Sequence, residues 1–299
     1  LQGNKELAAA AFNARVAAAA NGFATDVTYT EPAGESPLQI ALRLRPGADP
    51  ELARCYPGIF ERETNRHRGT GAPLPPEVSE TLARVAQQHD ARVHVMVDHD
   101  EIARTATVFA DADRIRYLTP TLHREMISEL RWPGDDGSDF GIDVRSLGLD
   151  SGDLAVLPLL RRTDVVAALD DWDAGSVLGD DTSGRMRSSS AIVTVMIRGA
   201  ALSDFARGGA AVVAVWMAAQ DAGLAVQPMS PPFLYAHTGT ELGELSGKYA
   251  DELRRLQDTF HALTSKGPGE AVVLALRISD APPASVPSRR STAFEVSAG

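Results

Sequence analysis

The 299-residue chain contains a single cysteine, Cys55. This excludes an intrachain disulfide framework and any zinc site built on several cysteines. The thiol sits in CYPGIF, which reads as a buried or turn-proximal position, so no nucleophilic role is assigned to it. No apolar run approaches the roughly 20 residues that a bilayer-spanning helix needs. The opening LQGNKELAAAAF lacks the basic and apolar regions of a secretory signal, so a cytoplasmic protein is expected. A G-x-S-x-G nucleophile elbow is missing. GPGE at 267–270 lacks the lysine of a phosphate-binding loop and reads as a turn. Positive charge is in deficit too: the net charge of -11 opposes general binding to nucleic acid or to anionic membranes. An anionic ligand therefore requires a local basic pocket.

What remains is ordinary globular composition, 44% hydrophobic and 23% charged, in a length that suits one large domain or two smaller ones. KELAAAAFNARVAAAAN predicts a helix over 5–21 that carries Phe12 and Val16 and is capped by Gly22. DVTYTE and LQIALRLRPG predict strands on either side of a turn at PAGESP. PPEVSETLARVAQQ is an amphipathic helix with Val78, Leu82 and Val85 on one side, and ARVHVMVD is a strand. Residues 100–131 read as helix with a break at 119–121. The Gly- and Asp-rich 132–153 reads as loop, and 170–190 as a second loop-rich piece. There follow the strand AIVTVMIR, the apolar helix of ARGGAAVVAVWMAAQDAG, a helix over 246–263, the strand EAVVLALRI and a proline-extended tail. The irregular order of helices and strands indicates an α+β fold, a sheet packed against helices.

Clusters that suggest metals do not hold together. His94, Asp98, His99, Asp100 and Glu101 are split over both faces of a strand end. Asp170, Asp171 and Asp173 lack the spacing of an EF-hand. His123 and Glu125, two apart on a helix, cannot face one ligand. No metal site is expected. One internal echo stands out: AAAANGFATDV resembles MAAQDAGLAVQP when Gly22 is set against Gly223, suggesting two related units.

The densest cationic stretch is ERETNRHRGTGAPLPPEV, residues 61–78. Arg62, Arg66 and Arg68 surround Thr64 and Asn65, with His67 beside them. Guanidinium forks next to neutral hydrogen-bonding groups suit a phosphate or sugar phosphate, and equally suit a solvated loop.

The same stretch resembles the opening of FMN-dependent nitroreductases, where an R-R-S-x-R-like motif precedes a P-V-P-x-E-x-L helix. The likeness continues in order. GGAAVVAVWMAAQDAGLAVQPMS looks like the family's central helix and the turn after it, and EAVVLALRI with PPASVPSRR like its late strand and C-terminal arginine segment. These motifs cover roughly residues 61–296. The R-x-T-N-R form, with a partial preceding repeat, points to the Acg-like actinobacterial branch, whose single polypeptide carries both halves of what is elsewhere a homodimer. Some relatives there are fused to an adenylating ThiF-like domain.

The resemblance implies a nitroreductase-like fold with an antiparallel or mixed sheet. Residues 1–60 would be the C-terminal part of a first repeat and 61–299 a second, the two packing as a pseudo-dimer, or the chain pairing as a homodimer. It implies FMN as cofactor, with NAD(P)H as electron donor and an electron-poor small molecule as acceptor. By position, Arg62, Arg66, Arg289 and Arg290 would hold the phosphate, Thr64 and Asn65 the phosphate or ribityl hydroxyls, and Pro228, Met229 and Ser230 would lie beside the ring. No catalytic side chain is nominated. The family's A-P-S-x-x-N-x-Q-P-W segment does not follow the first helix here, so a degenerate module for flavin storage or protein interaction is the alternative expectation. Trp132 and Trp216 are further candidates for a flavin pocket, Trp216 reading more readily as core.

Overall fold

In the computed structural model, residues 2–31, 37–134, 141–172 and 174–288 are described. The turn expected at PAGESP, Asp173, Arg289 and Arg290 fall wholly or largely outside them. The chain opens with α1 (Gln2–Ala20), the hairpin β1 (Phe23–Thr30) and β2 (Gln39–Pro46), and the short helices α2 (Pro50–Arg54) and α3 (Gly58–Glu61). After an irregular stretch come α4 (Pro76–Gln87), β3 (Ala91–Met96), α5 (His99–Leu118) and α6 (Pro120–Ser128). The break expected at 119–121 is Thr119, which separates α5 from α6 in an extended conformation ahead of Pro120.

The 132–153 stretch, expected to be loop for much of its length, follows β4 (Leu130–Arg131), which pairs in parallel with β5 (Ile142–Asp143), and its last residues begin α7 (Ser151–Leu160), capped by the Asp150 carboxylate. The second loop expectation needs correction. After α8 (Thr163–Asp171), the 170–190 stretch holds a 3-10 turn at Gly175–Gly179 and then α9 (Asp180–Arg187). Asp180 and Asp181 begin that helix, and Arg185 and Arg187 end it, an arrangement that complements the helix dipole. The remaining elements are β6 (Ala191–Arg198), α10 (Leu202–Asp221), β7 (Ala225–Met229), α11 (Gly239–Leu245), α12 (Ala250–Leu263) and β8 (Glu270–Ser279).

The main sheet has four antiparallel strands in the order β3-β6-β8-β7. Helices cover both faces, which is why the central strand β6 is buried without alternation from Ala191 to Ile197 and is apolar there except for Thr194. Ala191, Val193, Val195 and Ile197 pack with Leu82 of α4 and Val215 of α10. Ile192 and Met196 on the opposite face pack with Phe109 of α5 and Phe260 of α12. Helix α10 is apolar all round because its second side receives Phe12 and Val16 of α1. Both α1 and α10 stop at a glycine in the left-handed region, Gly22 (φ 80°) and Gly223 (φ 77°), and each then turns into a strand. The fold is therefore α+β, an antiparallel sheet packed by helices. Among the described residues, no helix is long and apolar enough to cross a membrane.

Candidate functional site

The cationic stretch runs without helix or strand between α3 and α4, yet its path is set by hydrogen bonds to distant segments. Asn65, 4% exposed, is the main tie. Its backbone N–H donates to the Val226 carbonyl at 2.9 Å, and its side-chain amide donates to the Pro282 carbonyl at 2.7 Å. Its side-chain oxygen accepts from the His67 N–H at 3.0 Å. Further along, Thr70 bonds Asp280 through both backbone and hydroxyl, and His67 Nε2 lies 2.8 Å from Ser285 Oγ. Gly69 passes so close to the Ser188 carbonyl and Ser279 that a Cβ would collide with backbone. The stretch is thus zipped to the chain segment that follows β8.

Beneath it lies a cluster of guanidinium groups. Arg277 of β8, 1% exposed, donates Nη2 to the carbonyls of His67 (2.6 Å) and Asn65 (3.3 Å). Its Nη1 reaches the Arg185 carbonyl and Ser279 Oγ, both at 3.2 Å, and its Nε reaches Gln227 Oε1 at 3.0 Å. Five neutral oxygens satisfy this buried cation, whose solitary burial would otherwise cost several kcal/mol. Arg185 of α9, 4% exposed, donates Nη1 to the Arg66 carbonyl at 2.5 Å and Nε to Asp181 at 2.6 Å. Among the described residues, Arg66 itself reaches neutral partners, the carbonyl and hydroxyl of Ser146, at 3.3 and 3.4 Å. Burial, reinforced by the Arg185 charge, lowers both Arg66 and Arg277 to about 10.

Arg66 stands where two cavities adjoin. The smaller, about 200 Å³, is lined by Thr64, Arg66, Arg131, Asp143, Ser146 and the Val286–Ser288 segment. The larger, about 380 Å³, contains Pro228, Met229 and Ser230 at the end of β7, with Tyr117, Arg185 and Gln227. Arg66 and Ile142 line both. Arg131 and Arg145 converge on Asp143 at 3.1 and 2.6 Å, and the Arg145 hydrogen bond chiefly holds that carboxyl well below its usual range. Burial, with nearby Asp113 adding to it, pushes the Tyr117 phenol up to about 12. One end is therefore small, polar and cationic, and the other is broader and mixed in character.

Thr64, Arg66, Pro228, Met229 and Ser230 are brought together around this pair of cavities. Arg62 is not, since its guanidinium lies over the Trp216 ring at 4.8 Å from the centroid, against α10. Asn65 spends its amide on the framework just described. Trp216 is core, 6% exposed, and Trp132 lies under Arg161. Arg289 and Arg290 follow directly on Ser288, the last described residue of the smaller cavity. Arg185 and Arg277 were not among the sequence candidates. Their signals were present: Asp181 and Arg185 have helical i,i+4 spacing, and Arg277 is the one charge inside an otherwise apolar strand.

No protein-family model matches the chain. Over 282 residues it is 51% identical to a Mycobacterium tuberculosis protein named Uncharacterized protein MT1398; the match takes in 94% of this chain and 39% of the relative's length. Among solved structures it is similar to an iodotyrosine deiodinase bound to FMN and 3-iodo-L-tyrosine, with TM-score 0.45, 13% identity, and 81% of this chain and 97% of that one covered. A nitroreductase with bound FMN from Desulfitobacterium hafniense gives TM-score 0.43 at 12% identity, over 80% of this chain and 96% of that one. The FMN-dependent nitroreductase NfnB from Mycobacterium smegmatis, in complex with NADPH, gives TM-score 0.43 at 15% identity with the same coverages.

Proposed function

We propose that the chain is a flavin-binding oxidoreductase of nitroreductase type that uses FMN. The observation that carries this reading is Arg66, a half-buried guanidinium whose partners among the described residues are neutral, at the junction of a small polar cavity and a larger one. A site whose burial and charge crowding depress its own arginines is one that an anion stabilises. The donor chemistry fits a phosphate. Thr64, Arg66, Ser146 and the segment from Val286 onward, continuing into Arg289 and Arg290, would hold it. The larger cavity would take the ring beside Pro228, Met229 and Ser230.

Bound there, FMN would supply two-electron transfer between NAD(P)H and an electron-poor acceptor such as a nitroaromatic or quinone. The chain's own part is to bind, orient and screen. Arg185 fixes the backbone of Arg66, and Arg277 fixes the loop carbonyls. Apolar Ile142, Leu147 and Leu157 limit water around the larger cavity. Absorbance in the flavin bands after purification, or after reconstitution with FMN, tests the reading. Absence of bound flavin in both preparations overturns it.

The lack of the A-P-S-x-x-N-x-Q-P-W segment after the first helix favours a second reading, in which the module stores flavin or serves protein interaction without turnover. Bound FMN that neither NADH nor NADPH reduces would support it. The pairing of α1 with α10, each ending in a left-handed glycine before a strand, supports two related units within the chain, 1–60 and 61–299. This chain spans 39% of the length of its curated relative. The family resemblance alone extends the proposal to a fused adenylating domain.

A further inference from the structure

The stretch 151–178 carries more apolar side chains than its own packing buries. Helix α7, SGDLAVLPLL, is aliphatic along most of its length, yet Leu157 is its one buried residue. Among the described residues, five of the eleven exposed large apolar side chains fall between 154 and 177: Leu154, Val156, Leu159, Trp172 and Val177. Such a concentration marks a binding surface rather than ordinary scatter.

Three of the five, Val156, Leu159 and Val177, line a third cavity of about 580 Å³ between α5, α7, α8 and the turn at Gly175–Gly179. With Val165, Leu169 and Leu178 they make its walls aliphatic. This cavity adjoins the larger of the two around Arg66, because Asp113, Tyr117, Leu149, Leu157, Asp181 and Thr182 line both.

Every charged group of the lining has a place. Asp113 pairs with Arg116 and accepts from the Thr182 hydroxyl, while Asp181 pairs with Arg185 at 2.6 Å and with Arg68 at 4.0 Å. Asp153 and Asp180 stand exposed in the first turns of α7 and α9. Four carboxylates against the single guanidinium of Arg68 make this lining unfavourable to an anionic head group.

Tyr117 differs from its neighbours. No described residue shares a hydrogen bond with its hydroxyl, which is not sealed within the protein, and burial keeps it protonated at neutral pH. It is an unused donor at the neck between the aliphatic cavity and the one beside Pro228–Ser230.

We propose that the third cavity seats the aliphatic chain of an amphiphilic electron acceptor whose uncharged quinone head lies beside Tyr117 in the larger cavity. The phenol donates to a quinone carbonyl, and the chain runs between α7, α8 and the Gly175–Gly179 turn. The acceptor role rests on the flavin reading above, since NAD(P)H and one proton must convert the quinone to its hydroquinone with release of NAD(P)+. Seating of the chain does not.

The probes are decylubiquinone and the same ring without its chain, each bound to FMN-loaded and to flavin-free protein in equilibrium dialysis. Saturable binding of the decyl form, at least about tenfold tighter than the chainless ring, is expected, the worth of about two buried methylene groups. Val156→Asp and Val177→Asp, both at exposed positions, should each cut that ratio to below about threefold. Tyr117→Phe should weaken both quinones by about threefold to tenfold and keep the ratio. Decanoate should displace the decyl quinone less well than decanol does. The proposal is overturned if the chain adds less than about tenfold, if both aspartate variants keep the full ratio, if Tyr117→Phe binds both quinones as wild type does, or if decanoate displaces better than decanol. It is also overturned by a dimer that Val177→Asp dissociates, since the patch would then be an interface between copies. If no preparation holds FMN, the acceptor role falls with the function proposed above; FMN held without a chain-length preference overturns this proposal alone.

Discussion

Arg185 Nη1 donates to the carbonyl oxygen of Arg66 at 2.5 Å, so one buried guanidinium sets the backbone that presents another. The donor belongs to a helix and the acceptor to a loop 119 residues earlier. Their mutual repulsion adds to burial in lowering Arg66, and an anion bound there would relieve it.

Arg66→Ala is expected to weaken FMN retention by about tenfold to a hundredfold, the usual worth of a charge-assisted contact. Arg62→Ala should behave differently. Its guanidinium stacks on Trp216, so its loss should lower stability by about 1–2 kcal/mol and leave flavin affinity within about threefold. Flavin fluorescence titration and urea unfolding of both variants separate the two roles. Unchanged retention in Arg66→Ala removes the phosphate assignment.

Replacing Arg277 tests the buried hub. Arg277→Met would leave the carbonyls of His67, Asn65 and Arg185 short of a donor, with an expected loss of about 3–5 kcal/mol. Arg277→Lys should recover little of it, because three donors on a point charge cannot span five acceptors. Chemical denaturation reads the ranking, and a lysine variant as stable as wild type would refute the multidentate role.

For Asn65, the expected effect is mainly mechanical. Asn65→Ala frees the Pro282 carbonyl and the His67 N–H, costing about 1–3 kcal/mol. Limited proteolysis within 281–288 should accelerate with it, while Asn65→Asp, keeping only the acceptor to His67, should fall between.

Stability should also decline in acid through Glu270. Its carboxyl is pushed down to about 2, chiefly by the hydrogen bonds from Arg92 and then by the Gly267 N–H, against the opposing effect of burial. A carboxyl lowered on folding stabilises the native state above its unfolded value of 4.5 and loses that contribution as pH falls towards 2. Because the Arg92 side chain is 41% exposed, solvent screening limits the effect to about 1 kcal/mol. Urea unfolding at about pH 6 and about pH 3 should show this decrement in wild type and a smaller one in Glu270→Gln.

The fold class was readable from the amino-acid order because its carriers are local. Period-two and period-3.6 patterning marks β3 and α4, and glycine marks the ends of α1 and α10. Thr64, Arg66 and Pro228–Ser230 could likewise be singled out, since they sit in short distinctive strings. Helix α9 escaped because DDTSGRMRSSS is polar but for Met186, and its stability comes from dipole-matched charges and from docking that one buried side chain beside α5 rather than from an apolar stripe. Arg277 escaped for the opposite reason: a strand buried on both faces gives no alternation that would mark one inward cation. Arg62 shows the limit of motif reading, since residues four apart in one string face different surroundings once the loop is pinned at Asn65.

That pin has a consequence for the order in which the protein is made. Asn65 bonds Pro282 across 217 residues, and Arg277 bonds the Asn65 carbonyl across 212. As the chain leaves the ribosome, the cationic loop must wait for more than two hundred further residues before these partners exist. Such distant closures are slow, and a waiting cationic loop in an acidic chain can form premature pairs with nascent carboxylates. The Arg66 end of the molecule can therefore close only after the chain has been made as far as Pro282.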